Sequence, residues 1–338
     1  MKTARYISII LLLVQSVLYA DPVSELTSFS AFKSLDLSKL APGEVNTARP
    51  PVMNFPRGLS VQSCYLVPQP LKKTAELHER WNATKHAELK VYLHADISQK
   101  PAPEDFLKVA SAPDNGSVRA LVEATQKLDA NQTQLQISPA EAKLFKPAGD
   151  SSRAGVLPQA VSSFWSDLLC RRASEFATGG LSKLPPYNCH GETVQLPGEI
   201  ARLLKEQPKI STQFSSLSSV LTSGGLLPIR QHYWELSNVE GVASFSLGAL
   251  CAKAPGESWQ AVDLHYYTSD GYFVMLTFYQ MWPVTIGGQQ ATLVWRGDLL
   301  SAPSLSELHG VERLASGNAM TKEIQKSIVI FLKDIGAK

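Results

Sequence analysis

Charge is scarce in this chain. Only 18% of the 338 residues are charged, and 32 basic residues face 30 acidic ones, a formal net charge of +2. No positive excess exists to neutralise phosphates, which argues against a nucleic-acid binder. Cysteine is scarce as well. The four present, Cys64, Cys170, Cys189 and Cys251, include no C-x-x-C pair, which removes zinc-ribbon and thioredoxin-type readings. No G-x-S-x-G, H-E-x-x-H, Walker A or EF-hand pattern occurs, so the common hydrolase, metalloprotease, nucleotide and calcium signatures are missing. No cofactor is expected. What the chain does have is 44% apolar residues, enough for one large or two modest folded domains.

The first twenty residues read as a secretory signal peptide. Lys2 and Arg5 precede a short apolar run over 7–14, and Ala20 suits the last position before cleavage. The run is too short for a membrane span, which takes about 20 residues. The mature chain, residues 21–338, then has no transmembrane span and equal numbers of acidic and basic residues. The expected location is the periplasm or the exterior. Export permits disulfides, and a bridge between Cys170 and Cys189 is expected because they flank a helix end.

Four segments emerge from composition and periodicity. Residues 1–20 are the signal. Residues 21–58 are a helix and a Pro-rich linker. Residues 59–148 look like a small α+β unit, with strands near 63–67 and 88–97, helices over 71–85 and 115–128, and a capping box at Ser138–Glu141. The run 149–155, rich in Gly and Ser, is the expected boundary. Beyond it, 155–338 holds a helical stretch, five strands and a long terminal helix broken near Gly317-Asn318. The strands are expected at 231–239, 242–251, 259–267, 272–282 and 291–297, separated by short Gly- and Asp-bearing turns, the pattern of an antiparallel meander. The predicted fold class is therefore α+β: a five-stranded antiparallel sheet against helices, helix-grip-like, with a smaller N-terminal unit.

One strand carries the densest set of ionisable groups. Alternation along 259–267 puts Asp263, His265 and Tyr267 on one face. Neighbouring strands add Glu235, Tyr279 and Arg296, with Arg296 expected to anchor Glu235 or Asp263 across the sheet. A carboxylate beside an imidazole is the pairing that orients a base, so Asp263 and His265 are the catalytic candidates. Tyr267, Tyr279, Glu235 and Arg296 are the binding candidates. The first expectation for such a row is nevertheless a solvated sheet face, and no Ser or Cys nucleophile lies on it. His78, His86 and His94 recur every eight residues and read as surface histidines; no metal site is expected. Arg296-Gly297-Asp298 spells an adhesion tripeptide, but it falls at a strand end and reads as structural.

Trp234, Trp259, Tyr266, Tyr272, Phe273, Phe278, Tyr279, Trp282 and Trp295 load the same sheet. They suit a core, an apolar ligand pocket or a protein interface. Three functions are therefore compatible with the sequence. The favoured one is a non-catalytic exported protein that binds a small apolar molecule or a protein partner. The others are a hydrolase with a dispersed site around Asp263 and His265, and a structural or assembly component of the cell envelope.

Overall fold

Turn chemistry sets the register of the central sheet. In the computed structural model, which describes residues 21–40, 43–129, 134–147, 157–189, 191–254 and 256–337, the strands are β1 (Val45–Ala48), β2 (Gly58–Val67), β3 (Val91–Asp96), a separate short pair β4 (Tyr187–Cys189) and β5 (Glu192–Val194), then β6 (Ile229–Val239), β7 (Val242–Ala252), β8 (Trp259–Thr268), β9 (Val274–Ile286) and β10 (Gln289–Ser301). Two-residue loops join β6 to β7 and β9 to β10. In both, the central residues have positive φ: Glu240 and Gly241 in one, Gly287 and Gly288 in the other. That backbone matches the twist of the strands it connects.

The large sheet has eight strands rather than the five expected, in the order β1-β2-β10-β9-β8-β7-β6-β3, with all its pairings antiparallel. The five C-terminal strands form the meander. The three additions come from residues before 100. β2 runs along β10 for ten residues, and β3 closes the opposite edge against β6. The N-terminal strand candidates thus extend the main sheet at both edges. These pairings join segments far apart in sequence, which local pattern does not encode. The boundary expected at 149–155 and the leader over 1–20 lie outside the described residues.

Helices cover both faces. The helices are α1 (Pro22–Phe29), α2 (Leu71–Arg80), α3 (Gly116–Gln126), α4 (Pro139–Ala142), α5 (Gln159–Gly179), α6 (Leu196–Glu206), α7 (Pro208–Gln213), α8 (Ser215–Ser223) and α9 (Gly310–Asp334). On one face, α2 and α9 pack Leu71, Ala75, Ile324, Ile328, Phe331 and Leu332 against Val61, Tyr65, Trp259, Met281 and Val294. On the other, α1, α3 and α5–α8 bury Phe29, Leu121, Trp165, Phe176, Phe214 and Leu221 against Trp234, Phe245, Phe278 and Trp295. Among the described residues no helix is long and apolar enough to cross a membrane.

The break expected in the terminal helix does not occur. α9 runs through Gly317, which is buried against Leu59, while Asn318 accepts a hydrogen bond from Arg49. Tertiary contact here outweighs the low helix propensity of Gly and Asn. Conversely, the helical stretch before the meander is interrupted between α7 and α8. They meet at Phe214, whose ring is wholly buried among Phe29, Phe278 and Trp295.

One buried ion pair joins α4, α5 and the sheet. Arg172 reaches Glu141 through Nε–Oε1 at 2.8 Å and Nη2–Oε2 at 2.7 Å, and its guanidinium lies 4.2 Å from the ring centre of Tyr267. Glu141 also completes the expected capping box, accepting from the Ser138 N–H at 2.7 Å. Removing one charge strands the other in an apolar interior. Glu141→Gln keeps the cap but leaves Arg172 unpaired. It is expected to lower unfolding free energy by about 3–5 kcal/mol in urea denaturation, and Arg172→Met added to it to recover part of that loss.

Candidate functional site

The polar row read from the sequence lines a cavity rather than a plain solvated face. Its volume is about 230 Å³, and its wall is built by β2, β3, β6–β10, α2 and α9. Asp263 and His265 face it from β8, Glu235 from β6, Tyr279 from β9 and Arg296 from β10. Aromatic and apolar sides come from Trp81, Trp259, Met275, Ile328 and Phe331. Asp263 sits in mid-strand yet keeps part of its surface accessible, because α2 and α9 cover the sheet face without filling it.

Tyr267 is the exception among the expected residues. The pairing of β7 with β8 slips between Leu247↔Tyr267 and Gly248↔His265, leaving Tyr266 as an extra residue. This β-bulge re-aims the side chains that come after it on the strand. Tyr267 therefore joins Tyr266 in the core on the opposite face, beside Arg172. Alternation alone predicts the wrong side for it. Opposite His265 stands Gly248, where an added Cβ would come within 2.3 Å of the Tyr233 ring. The absence of a side chain at Gly248 is what lets Tyr233 lie flat across β7 to reach β8.

Tyr233 ties the two catalytic candidates together. Asp263 and His265 share no hydrogen bond; the Tyr233 hydroxyl lies between them. It donates to Asp263 Oδ1 at 2.8 Å and stands 3.0 Å from His265 Nε2. His265 Nδ1 is 2.6 Å from the Tyr272 hydroxyl. With Asp263 ionised and the His265 ring in a neutral tautomer, donor counting orders the chain. Tyr272 O–H donates to Nδ1, Nε2–H donates to the Tyr233 oxygen, and Tyr233 O–H donates to the carboxylate. Burial, then the charge of Asp263, hold the Tyr233 phenol well above its usual pKa, so it remains a donor. Burial likewise raises the Asp263 carboxyl, against the opposing effects of His265 and Tyr233.

Arg296 is spoken for elsewhere. Its guanidinium forks onto Asp298, with contacts from 2.8 to 3.1 Å, and Asp298 also accepts from Thr277 at 2.9 Å. It does not anchor Glu235 or Asp263 as expected. Residues two apart on one strand face are nearer neighbours than residues two strands away. The adhesion tripeptide is accordingly a mid-strand ion pair. Tyr279 lies under that guanidinium, 5.8 Å from it, and burial pushes its pKa up to about 12.

The structure adds histidines that the sequence pattern places on the surface. His94 on β3 stands opposite Glu235, with Nδ1 3.0 Å from Oε1, and stacks on Tyr233. Burial disfavours its charge, but the Glu235 hydrogen bond and the charges of Glu235 and Asp96 outweigh this and raise its pKa. His78 on α2 lies between Tyr279 and Phe331 and accepts from Tyr65 at 3.2 Å. A usable signal existed for His78, which continues the Leu71, Thr74, Ala75 stripe at i+7. None existed for His94, whose role depends on β3 pairing with β6. His86 sits apart, 2.7 Å from Asp334. No cluster of three metal-ligating side chains occurs among the described residues. Of the expected Cys170–Cys189 bridge, Cys170 carries a free thiol, and the Cys189 side chain lies outside the described residues.

Compared with models of known protein families and with curated protein sequences, the chain gives no match.

Burial and the Arg296 charge push the His78 imidazole down to about 3, whereas an unfolded histidine titrates near 6.5. Below pH ~6.5 the unfolded state binds the extra proton, so stability falls with acidification down to the folded value. The loss from His78 is expected to reach about 3 kcal/mol at pH 4. His78→Gln, which still accepts from Tyr65, should flatten the fall of unfolding temperature between pH 6.5 and 4. An NMR titration placing His78 near 6.5 would contradict this assignment.

Proposed function

We propose that this chain is an exported, non-catalytic protein that binds a small molecule in the cavity between its sheet and helices α2 and α9. The observation that carries the reading is a cavity in mid-sheet, where a fold of this size ordinarily places apolar core. Its walls combine aromatic sides with a few oriented polar groups, the composition of ligand sites in general. At about 230 Å³, it suits an occupant smaller than the drug-sized molecules held by pockets of roughly 300–1,000 Å³. The wall also argues for hydrogen-bonding groups on the ligand. A wholly apolar occupant would bury Asp263, Glu235 and Gln231 without replacing the water they lose. Export rests on the leader-like first twenty residues.

A hydrolase centred on Asp263 and His265 has less support. Both ring nitrogens of His265 are engaged by tyrosine hydroxyls, so it holds no serine or water as a base would. Ser327 lies on the cavity wall but makes no hydrogen bond to a histidine among the described residues. No observation favours an envelope scaffold over a binding protein.

Ser327 offers a clean test because it enters the cavity from α9 and leaves the sheet untouched. Ser327→Trp is expected to fill the space and weaken binding of any ligand found by thermal-shift screening at least tenfold. Its own unfolding temperature should stay within a few degrees of the wild type. Undiminished binding in Ser327→Trp would place the ligand elsewhere and overturn the reading.

A further inference from the structure

The charges around the cavity do not balance, and the imbalance has a sign. Two carboxylates, Glu235 and Asp263, belong to the wall itself, and a third, Asp298, is paired with the wall residue Arg296. One guanidinium, Arg296, stands against them, and it is committed to Asp298 through three contacts. His94 engages Glu235. That leaves Asp263. Its Oδ1 accepts from the neutral hydroxyl of Tyr233. Its Oδ2 has no hydrogen-bond partner among the described residues and is absent from the buried orphaned atoms, because it opens onto the cavity. A carboxylate withdrawn from water whose one hydrogen-bond partner is a neutral hydroxyl is costly. Here the cost is left for something in the cavity to offset.

The remaining wall points the same way. Trp81, Trp259, Tyr233 and Tyr279 surround the space, and aromatic faces attract cations that have lost their water. An anionic occupant would meet Asp263 and Glu235 directly, while the guanidinium already engages Asp298 through Nε and Nη2.

Resting on the reading of this cavity as a ligand site, we propose that its ligand is a small organic ammonium ion, with one N–H donated to Asp263 Oδ2 and the charged head enclosed by the aromatic side chains. The ion pair forms inside a partly dry cavity, where it is worth more than on the surface. Tyr233 then works as a positioning residue. Held by His265 and Tyr272, it fixes the carboxylate so that the free oxygen faces inward.

A charge series on one carbon frame tests this. Benzylamine, benzyl alcohol and benzoate are titrated into the full chain at pH 7 by calorimetry, with wild type, Asp263→Asn and Ser327→Trp. The ammonium form is expected to bind wild type at least tenfold more tightly than the alcohol, with benzoate weakest. Asp263→Asn should bring amine and alcohol within about threefold of each other. The wild-type series stands on its own should the variant fold poorly. Equal or tighter binding of alcohol or benzoate to wild type overturns the cation, as does a tenfold preference that survives in folded Asp263→Asn. In both cases the cavity remains a binding site if Ser327→Trp abolishes the heat. Absence of heat from all three ligands with wild type overturns the cation proposal and the reading beneath it together.

Discussion

A carboxylate in the middle of a β-sheet face constrains everything placed around it. Asp263 lies on β8 with strands on either side and helices above. Had α2 and α9 closed on it as they close on Val61, Val294 and Trp259, an ionised side chain would have been sealed in apolar surroundings at several kcal/mol. The helices instead pack chiefly over β1, β2, β9 and β10 and leave the surface around Asp263 open to the cavity. Around that opening the polar side chains hold one another. Tyr272, His265, Tyr233 and Asp263 form one chain, Glu235 and His94 a pair, and Arg296, Asp298 and Thr277 a third group. Asp263 Oδ2 keeps its acceptor capacity toward the cavity.

The opposite face shows how the same chain treats polar groups with no such purpose. Arg172 and Glu141 meet in a two-pronged contact, and the aromatic rings of Tyr187 and Tyr267 cover the guanidinium. That pair bolts α4 and α5 to the sheet. One face is therefore packed for stability, and the other is left incomplete. The pinning of α9 fits this division. Its C-terminal Asp334 receives Trp81 and His86, and Lys326 reaches the Glu88 carbonyl. These contacts hold the C-terminal half of the helix over the cavity.

Much of this was legible in the sequence, and the failures share a cause. The meander was readable because its turns carry their own chemistry: Glu240-Gly241 and Gly287-Gly288 sit where positive φ is required. The polar row was readable because side chains alternate along β8. Tyr267 was misplaced because one extra residue at Tyr266 shifts the alternation, and a bulge has no compositional mark here. β2 and β3 were read as parts of a separate unit because their partners, β10 and β6, lie more than a hundred residues away. His94 was missed for the same reason, and Arg296 was given the wrong carboxylate. Features that depend on local periodicity or turn residues can be read from one sequence. Features that depend on which distant strands pair cannot, and the site is made at those pairings.

Native mass spectrometry on the folded protein, isolated from its own cells without denaturant, tests the central claim most directly. A cavity with oriented polar groups and an open carboxylate predicts a retained small molecule. It would appear as added mass on the folded chain, be lost on denaturation, and be low enough in mass to fit about 230 Å³. A folded chain at its bare mass, unchanged after incubation with the small-molecule fraction of the same cells, would contradict the account.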